Sequence, residues 1–191
     1  FGVVSVHNIP ILDAIAKRNL IKFIPARGEM GAGHMADGFA RSSDKVGVVI
    51  TSTGPGAANV VGSLVEARFA GTPLLHITGQ TATENLDKNQ GTVHDVPNQL
   101  EMMKSVSKNA YRISSSKNVL EVLEKALEEA ITPPTGPVSI EVPIDVQRTI
   151  IDKQEIFNKV IVNDKNISLG DLNSLDLIEE EIRNSKRKIL W

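Results

Sequence analysis

The sequence predicts an α/β fold, a doubly wound and mainly parallel sheet of six strands with helices on both faces. Three observations carry this. Short β-branched runs alternate with longer segments of helical periodicity, the order that parallel βαβ units require. Several of the short runs are apolar throughout, as strands covered on both faces are. The 191 residues, 41% of them hydrophobic, suffice for one full α/β domain plus further chain.

Strands are expected at 2–6, 22–25, 46–51, 74–78, 111–113 and 138–142, and helices at 9–18, 29–41, 57–70, 98–104 and 118–131. The last helix is the clearest. Val119, Leu123, Ala126, Leu127 and Ala130 form its apolar stripe, flanked by Glu121, Glu124, Lys125 and Glu128. Ligands of such sheets sit at the carboxyl ends of the strands.

Composition shifts after residue 151. All 9 prolines and 13 of the 14 glycines precede that point, and 15 of the 40 residues beyond it are charged. The expected organisation is a domain over 1–150, an interdomain linker over 151–174 and the start of a truncated central domain over 175–191. A helix is expected to begin at Asn173 or Ser174, with Leu175, Ile178 and Ile182 as its apolar side. Residues 188–191 read as the first strand of that further domain. The chain opens inside an apolar run, Phe1-Gly2-Val3-Val4, and closes on another, so it reads as a fragment.

The net charge of −2 comes from 21 basic and 23 acidic residues in no single-sign block, which argues against nucleic-acid or anionic-membrane partners. Without cysteine there is no disulfide scaffold, thiolate metal site or cysteine nucleophile. No apolar run approaches the roughly 18 residues of a membrane span, and no signal segment opens the chain. A soluble cytoplasmic protein is expected.

Two segments could carry chemistry. In Ala26-Arg27-Gly28-Glu29-Met30-Gly31-Ala32-Gly33-His34-Met35-Ala36-Asp37-Gly38, Glu29 falls just past a strand, in a helix's first turn. An acidic residue there often does no more than complement the helix dipole. Four glycines within eleven helical residues are harder to dismiss. Each costs about 1 kcal/mol against alanine, so they imply close approach of a backbone, a ligand or a neighbouring subunit. The second segment, Thr51-Ser52-Thr53-Gly54-Pro55-Gly56-Ala57-Ala58-Asn59, is a glycine turn with proline placed for a helix start. It is neither a P-loop nor a dinucleotide fingerprint. Among the histidines, His76 lies in an apolar strand and is expected to be a hydrogen-bonded core residue. His34 is expected to serve packing, with no second ligand at metal spacing. His94, in the loop that follows Gly79-Gln80, is the one favoured for a pocket. Asp37, on the same helix but away from its N-terminal end, is expected to stand apart from the chemistry.

Taken together the motifs resemble those of thiamine-diphosphate enzymes of the acetolactate-synthase type. Residues 27–41 are similar to that family's glutamate-bearing helix, and 53–59 to its Ser/Thr-Gly-Pro-Gly-x-x-Asn loop. Gly71-Thr72-Pro73-Leu74-Leu75-His76-Ile77-Thr78-Gly79 and Gly136-Pro137-Val138-Ser139-Ile140-Glu141-Val142-Pro143-Ile144-Asp145-Val146 resemble its next strand and its closing strand. The resemblance runs in family order over 1–148.

It implies the thiamine-diphosphate-binding fold and a role for each matched residue. Glu29 would hydrogen-bond N1′ of the aminopyrimidine and promote ylid formation for attack on a 2-keto acid, and Gly54, Pro55, Asn59 and Ser5 would contact the cofactor. Gln90 and His94 would be substrate-pocket candidates. No metal ligand is expected here, because the family holds Mg²⁺ and the diphosphate through a Gly-Asp-Gly…Asn motif of a separate domain. FAD in the central domain, and a homodimer or tetramer with its site at the subunit interface, are further implications. The fragment alone would be inactive. Alternatives are another 2-keto acid decarboxylase, a sulfoacetaldehyde acetyltransferase, an acyl-CoA lyase, or a non-catalytic module that keeps the fold. The chain departs from the pattern at Gly28, where histidine is common. It departs again at Val3-Val4-Ser5-Val6-His7-Asn8, where Tyr/Val-Pro-Gly-Gly is frequent, and at Val93-His94-Asp95-Val96, which replaces Phe-Gln-Glu or His-His.

Overall fold

The computed structural model describes residues 1–43, 45–151 and 172–187. Four parallel strands, β1 (Gly47–Thr51), β2 (Leu74–Gln80), β3 (Asn109–Arg112) and β4 (Pro137–Pro143), lie in the order β1-β2-β4-β3. Parallel neighbours need crossovers. Helices α1 (Ile9–Arg18), α2 (Glu29–Ser43), α3 (Pro55–Asn59), α4 (Val61–Phe69), α5 (Gln99–Val106), α6 (Val119–Ile131) and α7 (Ile144–Arg148) cover the sheet, and α8 (Leu172–Asn184) follows. The fold is α/β and doubly wound, as expected.

Among the described residues the strand count is four rather than six. Segments 2–6 and 22–25 are reduced to single bridges, in which Gly2 pairs in parallel with both Pro25 and Ile50. Gly2 N donates to Ile24 O at 3.2 Å and Val3 N to Ile50 O at 3.3 Å. The two expected strands therefore occupy their lanes beside β1, but only for about one residue. The cause is local. The buried Asn8 side chain donates to Val3 O and accepts from Ser5 N, both at 2.9 Å, so these backbone groups leave the ladder. Pro25 has no N–H to continue the pairing.

Successive strand residues face opposite layers. Val49, Leu74 and Ala110 pack with Ala32, Ala36, Leu64 and Met103 beneath α2–α5. Leu75, Val138 and Ile140 pack with Ala126, Ala130 and Leu123 of α6 and with Ile11 of α1. The stripe expected on α6 is the one that packs. The helix expected at 57–70 is instead two, broken at Val60, whose carbonyl accepts from Ser63 N, Ser63 Oγ and Leu64 N. α7 had no sequence signal of its own.

The glycines of α2 divide by side. A Cβ on Gly33 would lie 1.8 Å from Ser63 Oγ, so glycine is what lets α2 rest on α4. At Gly31 and Gly38, and at Gly28 just ahead of the helix, an added Cβ meets nothing within 4 Å. Asp37 is not at the surface. It is 6% exposed and accepts from Arg41 Nε at 3.0 Å, an i,i+4 pair on α2.

α8 begins at Leu172, ahead of the expected cap at Asn173 or Ser174, and its Leu175, Ile178 and Ile182 are about half exposed. Most of the expected linker, 152–171, and the expected strand at 188–191 lie outside the described residues. Among the described residues no helix is long and apolar enough to cross a membrane.

Candidate functional site

The glycine turn that leaves β1 meets the start of α2 at Gly56 and the loop beyond β2 at Gly54. Glu29 is the first residue of α2, with Gly28 O accepting the N–H of Ala32 at 3.0 Å. A carboxylate at this end faces the positive end of the helix dipole. Glu29 is half-buried, and Asn59 Nδ2, at the end of α3, donates to its Oε2 at 3.2 Å. A Cβ on Gly56 would sit 3.4 Å from Glu29 Oε1, so the glycine turn closes directly on the carboxylate. Gly54 is required twice over. Its φ is +57°, and a Cβ there would lie 2.1 Å from His94 O. Pro55 opens α3, where its missing N–H goes unneeded. Glu29, Gly54, Pro55 and Asn59 thus form one constellation.

Ser5 joins it through the N-terminal loop, its hydroxyl donating to Ser52 Oγ at 2.5 Å. Ser52 O in turn accepts from Thr78 Oγ1 at 2.7 Å, which ties this loop to the end of β2. His94 overhangs Gly54 with a left-handed φ of 64°, and its ring lies 5.7 Å from that of His7. Gln90 is exposed in the same 81–98 loop and joins none of the site's hydrogen bonds. His76 is fully buried and bonds Thr51 Oγ1 through Nε2 at 2.9 Å and Ser139 Oγ through Nδ1 at 3.0 Å. Burial pulls its pKa down to about 3. It is the core residue the sequence implied. His34 is exposed on α2. Among the described residues no group of three or more His, Asp and Glu side chains could hold a metal ion.

A buried polar chain supports the glycine turn, and sequence reasoning missed it. Gln99 Oε1 accepts from Gly54 N at 2.6 Å and from Thr53 Oγ1 at 2.9 Å. Its Nε2 donates to Glu141 Oε1 at 2.8 Å, to which Gln80 Nε2 also donates at 3.3 Å. Glu141 has no exposure at all, and its Oε2 accepts from Arg112 Nε at 2.8 Å. Arg112 then reaches Asp87 of the 81–98 loop at 2.6 Å. A carboxylate inside a closing strand, apolar but for Ser139, was the available signal, since a buried charge demands partners.

Residues 1–102 match the family described as thiamine pyrophosphate enzyme, N-terminal TPP binding domain. The chain is 32% identical over 193 aligned positions to a probable acetolactate synthase large subunit of Methanococcus aeolicus, covering 100% of this chain and 32% of that protein. It is 36% identical over 146 residues to the acetolactate synthase large subunit of Lactococcus lactis, covering 76% of this chain and 25% of the relative. Against the mitochondrial acetolactate synthase catalytic subunit of Saccharomyces cerevisiae the identity is 34%, over 79% of this chain and 22% of the relative. The chain therefore spans a third or less of the length of these relatives. The chain belongs to the thiamine pyrophosphate enzymes, as an N-terminal TPP-binding domain homologous to those of acetolactate synthase large subunits.

Proposed function

We propose that this chain is the cofactor-activating half-site of a carboligase or decarboxylase that acts on 2-keto acids of the pyruvate type. The observation that carries the reading is the Glu29 carboxylate, set at a helix N-terminus, bonded by Asn59 and faced by the bare Gly56. The residues present fit an aminopyrimidine. An aminopyrimidine needs one acidic group at its ring edge, and Glu29 at the helix N-terminus supplies it.

Glu29 would hold the ring at N1′, with Gly54, Pro55, Asn59 and Ser5 around it. Thiamine diphosphate, when bound, supplies an electron sink for decarboxylation. Asn59 takes Oε2, and Oε1 is the oxygen assigned to share and return a proton at the ring edge. A positioned carboxyl of this kind contributes about 10²–10⁴ in rate. Residues 1–150 form this domain in our reading, and 151–174 link it to a central domain that begins near 175. Mg²⁺ and the diphosphate would be held by a further domain, and a flavin, if one binds, by the central one. The open glycines Gly28, Gly31 and Gly38 support a second subunit packed against this face, which would place the site between the chains of a homodimer or tetramer.

The test is turnover of pyruvate by the full-length enzyme with thiamine diphosphate and Mg²⁺. Glu29→Gln is expected to lower kcat by about 10²–10⁴ while the cofactor Kd changes only a few-fold. Unchanged kcat in that variant would remove the proposed role.

A further inference from the structure

Two histidines from different loops meet at this site, and both loops depart from the family pattern. His7 stands in the N-terminal loop and His94 in the 81–98 loop. Their ring centroids are 5.7 Å apart and their planes are inclined at 49°.

The placement is built into the fold. His7 is 8% exposed, its N–H donates to Ser5 Oγ at 3.3 Å, and its carbonyl accepts from Gln147 Nε2 at 2.7 Å. It rests on the end of β2 only because residue 79 is glycine, where a Cβ would lie 2.1 Å from His7 O. His94 is held by its own carbonyl against Gly54, in a left-handed conformation that few residues other than glycine adopt. Yet His7 Nδ1 is buried without a hydrogen-bond partner, as is the hydroxyl of Thr81, the first residue beyond β2. Buried polar atoms nearly always have partners. An orphan ring nitrogen beside a second imidazole, at the carboxyl ends of the strands, calls for a partner from outside the chain. Burial, with a smaller part from His94, holds the pKa of His7 below its ordinary value. The ring is therefore neutral near pH 7 and keeps a single N–H to donate. The complementary group is an acceptor with two oxygens, one for each ring.

We propose that His7 and His94 are the carboxylate-recognition pair of the substrate site, each donating one imidazole N–H to an oxygen of the 2-keto acid's carboxylate. This rests on the reading of Glu29 given above. The pair holds the acid in the ground state, so its loss raises KM and leaves kcat nearly unchanged.

The experiment uses the full-length enzyme with pyruvate as substrate and oxamate as an unreactive carboxylate probe. Exchange of the cofactor's C2 proton, measured without substrate, reports the Glu29 function separately. His94→Asn, at an exposed position, and His7→Asn are each expected to raise the pyruvate KM and the oxamate Ki together, by about tenfold or more, the usual effect of losing a hydrogen bond to a charged group. kcat should stay within about threefold, and C2 exchange should stay at the wild-type rate. An unchanged KM and Ki in His94→Asn with normal exchange would overturn the proposal, whatever becomes of the buried His7 variant. Slowed C2 exchange in His94→Asn would also overturn it, by moving the residue to the cofactor. A wild-type enzyme that exchanges C2 but does not bind oxamate or turn over pyruvate would refute the pair and leave Glu29 standing.

Discussion

The Gln99 amide has one workable orientation, and that makes a charge-swapping cycle informative. Its oxygen must face Gly54 N and Thr53 Oγ1, and its nitrogen must face the Glu141 carboxylate at 2.8 Å. Gln99→Glu therefore sets two buried carboxylates in contact. At about 3 Å and an effective dielectric near 20 their repulsion is about 5 kcal/mol. The chain can escape by protonating one of them, which for an ordinary carboxyl pKa near 4.3 costs about 4 kcal/mol at pH 7 and about 1 kcal/mol at pH 5. Glu141→Gln alone turns an amide N–H₂ toward either Gln99 Nε2 or Arg112 Nε, a mismatch of about 1–3 kcal/mol. In the double variant the polarity is restored. The new carboxylate at position 99 accepts from Gly54 N and from the new amide at position 141. That amide's oxygen accepts from Arg112 Nε, so what is lost is the long Gln80 bond and the direct charge contact with Arg112. Urea unfolding at pH 7 should thus show the double variant more stable than the sum of the single losses by roughly 5–7 kcal/mol, the protonation cost of about 4 and the mismatch of about 1–3 that the swap removes, with the coupling shrinking at pH 5. Additivity within about 0.5 kcal/mol would show that the buried chain is not as described.

Other consequences follow from single residues. His76 stays neutral when folded because burial holds its pKa near 3, whereas the unfolded side chain protonates below about pH 6.5. Its contribution is complete above that pH and declines as pH falls toward 3. Between pH 7.5 and 5.0 it should account for about 2 kcal/mol of lost stability, and a His76→Gln variant with the same pH slope would contradict this. Gly54→Ala forces a side chain into a φ of +57° and against His94 O. It should cost about 1–3 kcal/mol and speed amide exchange over 91–98, so an unaltered exchange pattern would count against the packing. Leu64→Ala, at a fully buried position, should cost about 2–5 kcal/mol. Phe69→Ala, at a position 90% exposed, should fall within about 0.5 kcal/mol of the unmodified chain, and equal losses in the two would refute the burial pattern.

Where local pattern decides structure, the sequence was legible. The α1 limits were read as they stand, and alternating apolar runs located β1, β2, β3 and β4. The resemblance carried by the two glycine-containing segments singled out Glu29, Gly54, Pro55 and Asn59, which the fold brings together. What escaped depends on side chains that compete with backbone or act across long separations. Segment 2–6 has a strand's composition, but Asn8 captures its carbonyl at Val3 and its N–H at Ser5. Gln99 and Glu141 are 42 residues apart and touch only because α5 and β4 pack in this order. Asp37 is buried, and Arg41 four residues on was the visible sign of its pairing. Gln90 lies in the predicted loop but outside the hydrogen-bonded constellation.

The central claim is that the Glu29 carboxyl moves a proton at the cofactor's aminopyrimidine. The most direct measurement is hydrogen–deuterium exchange at thiamine C2, followed by proton NMR after quenching, in the full-length enzyme and its Glu29→Gln variant. Glutamine matches the size of glutamate and can still accept from Asn59 Nδ2 and hydrogen-bond the ring, so fold and cofactor binding should survive. It cannot pass a proton. The account predicts exchange slowed by about 10²–10⁴ at unchanged cofactor occupancy, and exchange at the wild-type rate in the variant would contradict it.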